Sequence, residues 1–310
     1  MNKVIINPFR KVYDSNICRD SNRYDLPAFP LIIDIEVTNA CNMDCLVCTR
    51  QVMTRKTGFM DWNLYKKIID EVSIHNAAIR LIRFGEPLLH PKITEMIKYA
   101  KKKNLLVHMT TNGLLLSESK SAEIVDFGLD SIIFSMQGTT KEEYQRLRNT
   151  KHYDKLVKNI QKLAELRKKK GVSNPYITIT TTILDETQED IDIFIRKWRK
   201  TVDCIDYGPT YLGKLKLRSV DRIKYLIPRE NTPKRRIKEC NEVRTKLSIN
   251  WNGDVTACCA DFDGEMVIGN VLNESLKDVW NGKKHMEICD ILKKKEYDKI
   301  KFCSTCESRI

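Results

Sequence analysis

Three features of the chain predict an α/β fold: a partial (β/α)6 barrel, TIM-like but open along one side, followed by a small C-terminal domain of β-hairpin plus helix. Apolar, β-rich runs alternate with helical repeats from residue 31 onward, several of these runs are polar on one face only, and the pattern changes beyond residue 239. Such alternation builds a parallel sheet with right-handed crossovers. Six strands are two short of the closed eight-stranded barrel. The predicted divisions are an N-terminal arm (1–30), the barrel (31–212), a basic linker (213–239) and the small domain (240–310).

Residues 1–30 show no period and contain Pro8, Pro27 and Pro30, which predicts an irregular arm. Strands are expected at 31–37, 78–84, 105–111, 130–136, 176–183 and 203–208. Asp61 is placed to cap a helix that lines Trp62, Tyr65, Ile68, Ile69 and Val72 on one face. Pro91 opens a second with Ile93, Met96, Ile97 and Ala100, and Ser117 begins a third that Gly128 ends. Leu156, Val157, Ile160 and Leu163 mark a fourth, stopped by Gly171; Ile191, Phe194, Ile195 and Trp198 mark a fifth. These are the start and stop residues that caps and left-handed C-terminal turns favour.

The polar face is the second signal. Tyr176-Ile-Thr-Ile-Thr-Thr-Thr-Ile183 sets Thr178, Thr180 and Thr182 opposite Ile177, Ile179 and Ile183. The same period of two groups Asp34, Glu36 and Thr38; His108, Thr110 and Asn112; Ser135 and Gln137; Cys204 and Asp206. Strands buried on both faces read as continuous apolar runs, so this polar face is assigned to a lumen that holds a polar ligand. Glu36, His108, Gln137, Asp206 and Cys204 are its candidate substrate-holding or catalytic groups, and any one of them has a hydrogen-bonded core role as its alternative.

At 310 residues the chain has ample material for a core. No apolar run reaches the roughly 18 residues of a membrane span, and the first residues lack a signal peptide's apolar stretch. Eleven cysteines without an export signal point to metal binding in a reducing cytoplasm, not to disulfides. The net charge of +13 is concentrated in part between Lys214 and Lys238, where ten Lys or Arg face Asp221 and Glu230. That run reads as a solvated linker, with attraction of a phosphorylated substrate or an acidic electron donor as the second reading. Neither a membrane nor a nucleic-acid partner is expected.

Cys41-Asn-Met-Asp-Cys45-Leu-Val-Cys48 follows the first strand, where parallel barrels place their active sites. A structural zinc ion needs four ligands, and three local thiolates leave one position unfilled. A four-iron cubane tolerates that vacancy when a small molecule takes its fourth iron. The spacing resembles the signature of radical S-adenosylmethionine (SAM) enzymes, in which SAM chelates the open iron of a [4Fe–4S] cluster. Arg83-Phe-Gly-Glu-Pro87, after strand two, resembles that family's Gly-Gly-Glu-Pro motif, with Phe84 at the first glycine. The resemblance implies that Gly85, Glu86 and Pro87 bind SAM's amino group. It further implies that Asn112, in Thr110-Thr-Asn-Gly113, lies in the SAM site, that Ser135 touches the ribose, and that Arg148 pairs with the carboxylate, a task suited to a planar guanidinium.

Beyond residue 239, Asn252-Gly253 between two β-rich runs is a strong hairpin signal. Cys240-x12-Gly253-x4-Cys258, with the later Cys303-Ser-Thr-Cys306, resembles the SPASM extension of radical SAM enzymes in its shorter, single-cluster "twitch" form. The resemblance implies that Cys240, Cys258, Cys303 and Cys306 close an auxiliary [4Fe–4S] cluster. Zinc on the same thiolates is the competing reading, and Cys259 and Cys289 are near enough to compete as ligands. Cys18 and Cys204 are expected to be free thiols.

The implied chemistry is reductive cleavage of SAM to a 5′-deoxyadenosyl radical, with electrons from a flavodoxin- or ferredoxin-like donor. Hydrogen abstraction from a small polar substrate, sugar-like or phosphorylated, would follow, with net two-electron oxidation assisted by the auxiliary cluster. Peptide maturation and epimerisation are the alternatives, the latter with Cys204 as hydrogen donor; thirty residues before strand one are few for a peptide-binding domain. A zinc-bearing basic binding module is the non-enzymatic alternative.

Overall fold

The computed structural model describes residues 6–14, 26–183, 186–209, 240–304 and 306. Its centre is one nine-stranded sheet, in the order β6-β5-β4-β3-β2-β1-β7-β8-β9. Strands β1 (Ile32–Ile35), β2 (Ala78–Leu81), β3 (Val107–Thr111), β4 (Ser131–Ser135), β5 (Tyr176–Ile183) and β6 (Cys204–Pro209) pair in parallel, each with the next. Among the described residues the sheet does not close: β6 and β9 are its two edges. The small domain is not a separate layer. Its first strand, β7 (Lys246–Ile249), joins β1 in parallel, and only β8 (Asp254–Thr256) and β9 (Val267–Asn270) run antiparallel.

Helices follow the caps. Asp61 accepts from the N–H groups of Asn63 and Leu64 to start α2 (Trp62–Ile74), after the short α1 (Arg10–Tyr13). Pro91 falls two residues before α3 (Ile93–Lys102), in a turn. Ser117 caps α4 (Glu118–Asp126), and Gly128 turns the chain away at φ +78°. Helix α5 (Lys141–Arg148) begins with a reciprocal Thr140–Glu143 capping box. Helix α6 (Tyr153–Lys169) and α7 (Gln188–Trp198) complete the barrel's outer layer. The C-terminal region adds α8 (Asn241–Thr245), α9 (Leu276–Asn281), α10 (Lys283–Lys293) and α11 (Lys301–Ser304). No described helix is long and apolar enough to cross a membrane. The linker 213–239 and Cys18 lie outside the described residues.

Within the described part of the N-terminal arm, expected to be irregular, residues 10–13 form a helix. Phe9, just before α1, is buried against Ile32 and Ala78 and meets the His108 ring edge-on, centroids 5.6 Å apart. Too short a helix to show a period, α1 covers the amino end of the barrel. On the lumen side of β1 and β2, Arg80 donates through Nε and Nη2 to the two carboxylate oxygens of Asp34, each at 2.6 Å, and through Nη1 to Tyr13 Oη at 3.2 Å.

Candidate active site

The loop after β1 carries Cys41, Cys45 and Cys48. Asn39 fixes its approach by donating to Lys56 O and accepting from Gly58 N, both at 2.9 Å. Arg50 donates to Asn39 O at 2.9 Å and Met43 O at 3.3 Å, which closes the loop on itself. Burial pushes the Cys41 and Cys48 thiols up, against N–H groups from the loop backbone and the nearby Arg50 guanidinium. Arg148, the last residue of α5, reaches Cys45 Sγ through Nη1 and Met136 O through Nη2, each at 3.5 Å; its Nε is sealed from solvent without a partner among the described residues.

The loops after β2 and β3 press against this one. Gly85, at φ +131°, lies so close that a Cβ would sit 2.3 Å from Thr38 O and 2.9 Å from Ala40 O. Only glycine fits there. Glu86 is buried; its carboxylate takes the Thr111 hydroxyl and the Asn112 N–H at 2.6 Å and the Leu88 N–H at 2.9 Å. Burial pushes the Glu86 carboxyl up, and those three donors oppose the shift. The carboxylate expected to face SAM also ties two loops together, with three of its roughly four acceptor sites in use. Asn112 in turn donates from Nδ2 to Asn42 Oδ1 at 2.9 Å, with Cys41 Sγ at 3.8 Å. Pro87 opens a short 3-10 turn behind Glu86. Ser135 ends β4, half-buried and in register with Thr180.

The five lumen candidates divide. Gln137 lies beyond the carboxyl end of β4 and donates to the Thr182 hydroxyl. Glu36 is held by Arg55 in a two-pronged pair, Nη1 to Oε1 and Nη2 to Oε2 at 2.8 Å, so its carboxylate anchors structure. His108 corrects the expectation more fully. It is the second residue of β3, at the amino end behind Phe9, with Ser131 Oγ at 3.2 Å and Thr110 Oγ1 at 2.9 Å. Burial and the Arg80 charge pull its pKa down to about 3, which makes it a neutral core group. Cys204 opens β6 at that same end, beside Tyr176, where a thiol cannot meet a radical formed at the cluster loop. Asp206 is exposed on the edge strand.

The C-terminal residues close over the other side. Asp261, fully buried, accepts from the Thr256 hydroxyl and from the N–H groups of Gly264, Glu265 and Met266 at 2.7–2.9 Å, which shapes the turn carrying Cys258 and Cys259. Three bonds stitch this turn to the first cysteine loop and the β2 loop: Arg55 Nε to Phe262 O at 2.6 Å, Thr54 N to Asp263 Oδ1 at 2.6 Å, and Arg83 Nη2 to Asp261 O at 2.8 Å. Phe84, which stands at the family's first glycine, packs edge-on against Phe262 at 6.3 Å. Arg50, Arg55 and Arg83 carry much of this architecture, and nothing in their spacing marks them. Cys240 stands at the residue before α8 without a side-chain cap bond, and Cys303 lies in α11, its backbone oxygen accepting from Cys306 N at 3.1 Å. Cys289, on α10, sits 3.6 Å from His285 Nε2 and is electrostatically coupled to Cys240; burial pushes its thiol up to about 12.

All ten described cysteines are free thiols, and no three His, Cys, Asp or Glu among the described residues converge on a single-ion position. The donor chemistry fits a cluster with one open iron: three thiols on one loop, with two guanidinium groups beside them to offset thiolate charge.

Residues 35–197 match the radical SAM superfamily model. The chain belongs to that superfamily. Residues 240–307 match the SPASM iron–sulfur cluster-binding domain, so its cofactors are a [4Fe–4S] cluster with SAM and auxiliary iron–sulfur. A Pyrococcus furiosus protein described as a "tungsten-containing aldehyde ferredoxin oxidoreductase cofactor-modifying protein" is 24% identical, covering 87% of this chain and 86% of its own. The S-adenosyl-L-methionine-dependent 2-deoxy-scyllo-inosamine dehydrogenase of Niallia circulans is 24% identical over 89% and 92%. Among solved structures, BtrN in complex with AdoMet and 2-DOIA superposes with a TM-score of 0.57 at 21% identity, covering 89% and 92% of the two chains. SAM-bound SuiB of Streptococcus suis gives a TM-score of 0.69 at 16% identity, covering 100% and 80%.

Proposed function

We propose that this radical SAM enzyme oxidises a small polar substrate by two electrons, within the cytoplasm, with a flavodoxin- or ferredoxin-like protein as electron donor. The radical cluster with SAM supplies a 5′-deoxyadenosyl radical able to take hydrogen from an unactivated C–H, and the auxiliary cluster supplies an electron acceptor. The observation that carries the reading is the stitching of the Cys258–Cys259 turn to the first cysteine loop through Arg55, Thr54 and Arg83. It ties the turn that follows Cys258 and Cys259 to the segment behind the first cysteine loop, so a substrate held between the two cysteine sets would face the radical on one side and the acceptor on the other. Arg148 and the loop held by Glu86 and Asn112 orient SAM; Ser135 and Gln137 face the rest of the ligand. Cys240, Cys258, Cys303 and Cys306 hold the auxiliary cluster. Two relatives similar over most of their length are named for a cofactor and an inosamine, whereas the mycofactocin maturase of Mycobacterium tuberculosis matches over 44% of this chain.

The test is anaerobic incubation of the fully clustered enzyme with SAM, reductant and a deuterated metabolite extract. Deuterium in 5′-deoxyadenosine, together with a small metabolite lighter by two hydrogens, supports the reading. Deuterium drawn only from added peptide substrates would overturn it.

A further inference from the structure

Three guanidinium groups lie along the polar face of β1 and β2, and two have carboxylate partners. Arg80 is paired with Asp34 and Arg55 with Glu36, each through two hydrogen bonds. Arg83 has no such pair: among the described residues its one hydrogen bond runs from Nη2 to the backbone oxygen of Asp261, its guanidinium lies over the Phe84 ring at 5.2 Å, and Glu36 and Asp34 act on it only through space. The Asp261 carboxylate is used up by its own turn. Arg83 Nε and Nη1, which carry three N–H donors, are sealed from solvent with no acceptor.

A second orphan lies beside Glu36, the carboxylate that also acts on Arg83. Asn250 follows β7 and is fully buried, yet neither Nδ2 nor Oδ1 has a partner among the described residues. The β1–β7 register places Ser248 beside Asp34 and Ile249 beside Ile35, so Asn250 falls next to Glu36 on the polar face. Glu36 N donates to Ile249 O at 2.8 Å, and Trp251 N approaches Glu36 Oε1 at 3.4 Å. Orphaned polar atoms of this kind are rare and costly in folded proteins. Here a cation, a donor and an acceptor are orphaned around one ion-paired carboxylate.

We propose that Arg83 and Asn250 form an oxyanion subsite for the substrate, one that takes a carboxylate or phosphate group on Arg83 and a neighbouring hydroxyl or the same oxyanion on Asn250. The assignment rests on the radical SAM oxidation proposed above and narrows its substrate to an anion. It also sets this enzyme apart from a dehydrogenase of an inosamine, whose amine would meet a guanidinium of like charge. A guanidinium suits the task because its fixed fork matches planar and tetrahedral oxyanions, and because it is less strongly hydrated than an ammonium. Arg83 sits two residues ahead of Gly85, so the group that grips the substrate is covalently close to the loop that positions SAM.

The test uses the enzyme with both clusters in place and follows its thermal midpoint as inorganic phosphate or acetate replaces chloride at constant ionic strength. The midpoint of the wild type should climb with one anion or both, and whichever acts names the source. Arg83→Met, which keeps the packing volume but loses both the charge and the bond to Asp261 O, should not respond to either anion. Arg83→Lys keeps the charge, folds under either outcome, and should need about tenfold more anion for the same response. An unresponsive wild type, or a response kept in Arg83→Met, overturns the subsite. So does competition of the anion with SAM, which would give the site to SAM's carboxylate. A changed electron paramagnetic resonance spectrum of the auxiliary cluster in Arg83→Met, with no anion response in wild type, also overturns it by making the cluster the counter-charge. Failure of the wild type to cleave SAM would sink the oxidation reading and leave the anion titration standing.

Discussion

Replacing Gly85 by alanine tests whether the SAM loop and the first cysteine loop act as one rigid body. The new methyl would lie 2.3 Å from Thr38 O, 2.8 Å from Asn39 Cα and 2.9 Å from Ala40 O, all backbone, at φ +131°. A carbon–oxygen contact of ordinary length requires the loops to part by about 1 Å, since optimal non-bonded separations are roughly 3.5 Å. Strain in so unfavourable a backbone region costs about 1–3 kcal/mol, and overpacking of this sort adds about 1–3 kcal/mol. A total near 4 kcal/mol lowers Tm by about 6 °C for a chain of 310 residues. Ala40 adjoins Cys41, so the displacement falls on the cluster. A misplacement of about 1 Å near reacting groups costs on the order of a hundredfold in rate. Anaerobic calorimetry, iron analysis and formation of 5′-deoxyadenosine measure the three effects. If Gly85→Ala melts within about 1 °C of wild type and cleaves SAM at the wild-type rate, the loops yield independently and the argument from contact is wrong.

Arg148→Ala should weaken SAM binding by about 1.5–3 kcal/mol, the loss of a charged hydrogen-bonded partner, at unchanged iron content; equal affinity by equilibrium dialysis would remove Arg148 from the site. Cys303→Ala with Cys306→Ala should lower iron by about four per chain if those thiols hold a four-iron cluster, spare dithionite-driven SAM cleavage and abolish substrate oxidation. Wild-type substrate turnover in a folded double variant would make the auxiliary cluster structural. His108 is held near pKa 3 in the fold and near 6.5 when unfolded, so the unfolded chain takes the proton first and stability is lost as pH falls below 6.5. From pH 7 to 5.5 wild type should lose about 1.2 kcal/mol more than His108→Gln, measured by urea unfolding; parallel pH profiles would show that His108 is not sealed.

The barrel was legible because its strands and helices obey local rules: Asp61, Ser117 and Gly128 stand where caps and turns require them. The cysteine loop was legible because its chemistry is packed into eight residues. Helix α5 announces itself only through Thr140 and Glu143, the capping-box pair. What stayed hidden is non-local. No spacing tells that Arg55, Arg80 and Arg83 find Glu36, Asp34 and Asp261 across 19, 46 and 178 residues. The period of two put His108 and Cys204 on the polar face but says nothing about which end of a strand holds the site. Glu86 shows the same limit: its motif was readable, while the three donors that occupy its carboxylate come from the folded loops around it.

The parallel union of β1 with β7 has a consequence for biosynthesis. The first barrel strand is complete at Ile35, and its outer neighbour begins at Lys246. At about 5–20 residues per second, roughly 10–40 s of translation separate the two. Throughout that interval β1 presents an unpaired edge that any passing strand could extend. Charges pointing inward from an edge are among the devices that discourage such pairing, and β1 and the residue after it carry two, Asp34 and Glu36. The same carboxylates that later bind Arg80 and Arg55 thus guard a nascent edge, and a ribosome stalled before residue 246 would leave that guard as β1's main protection against aggregation.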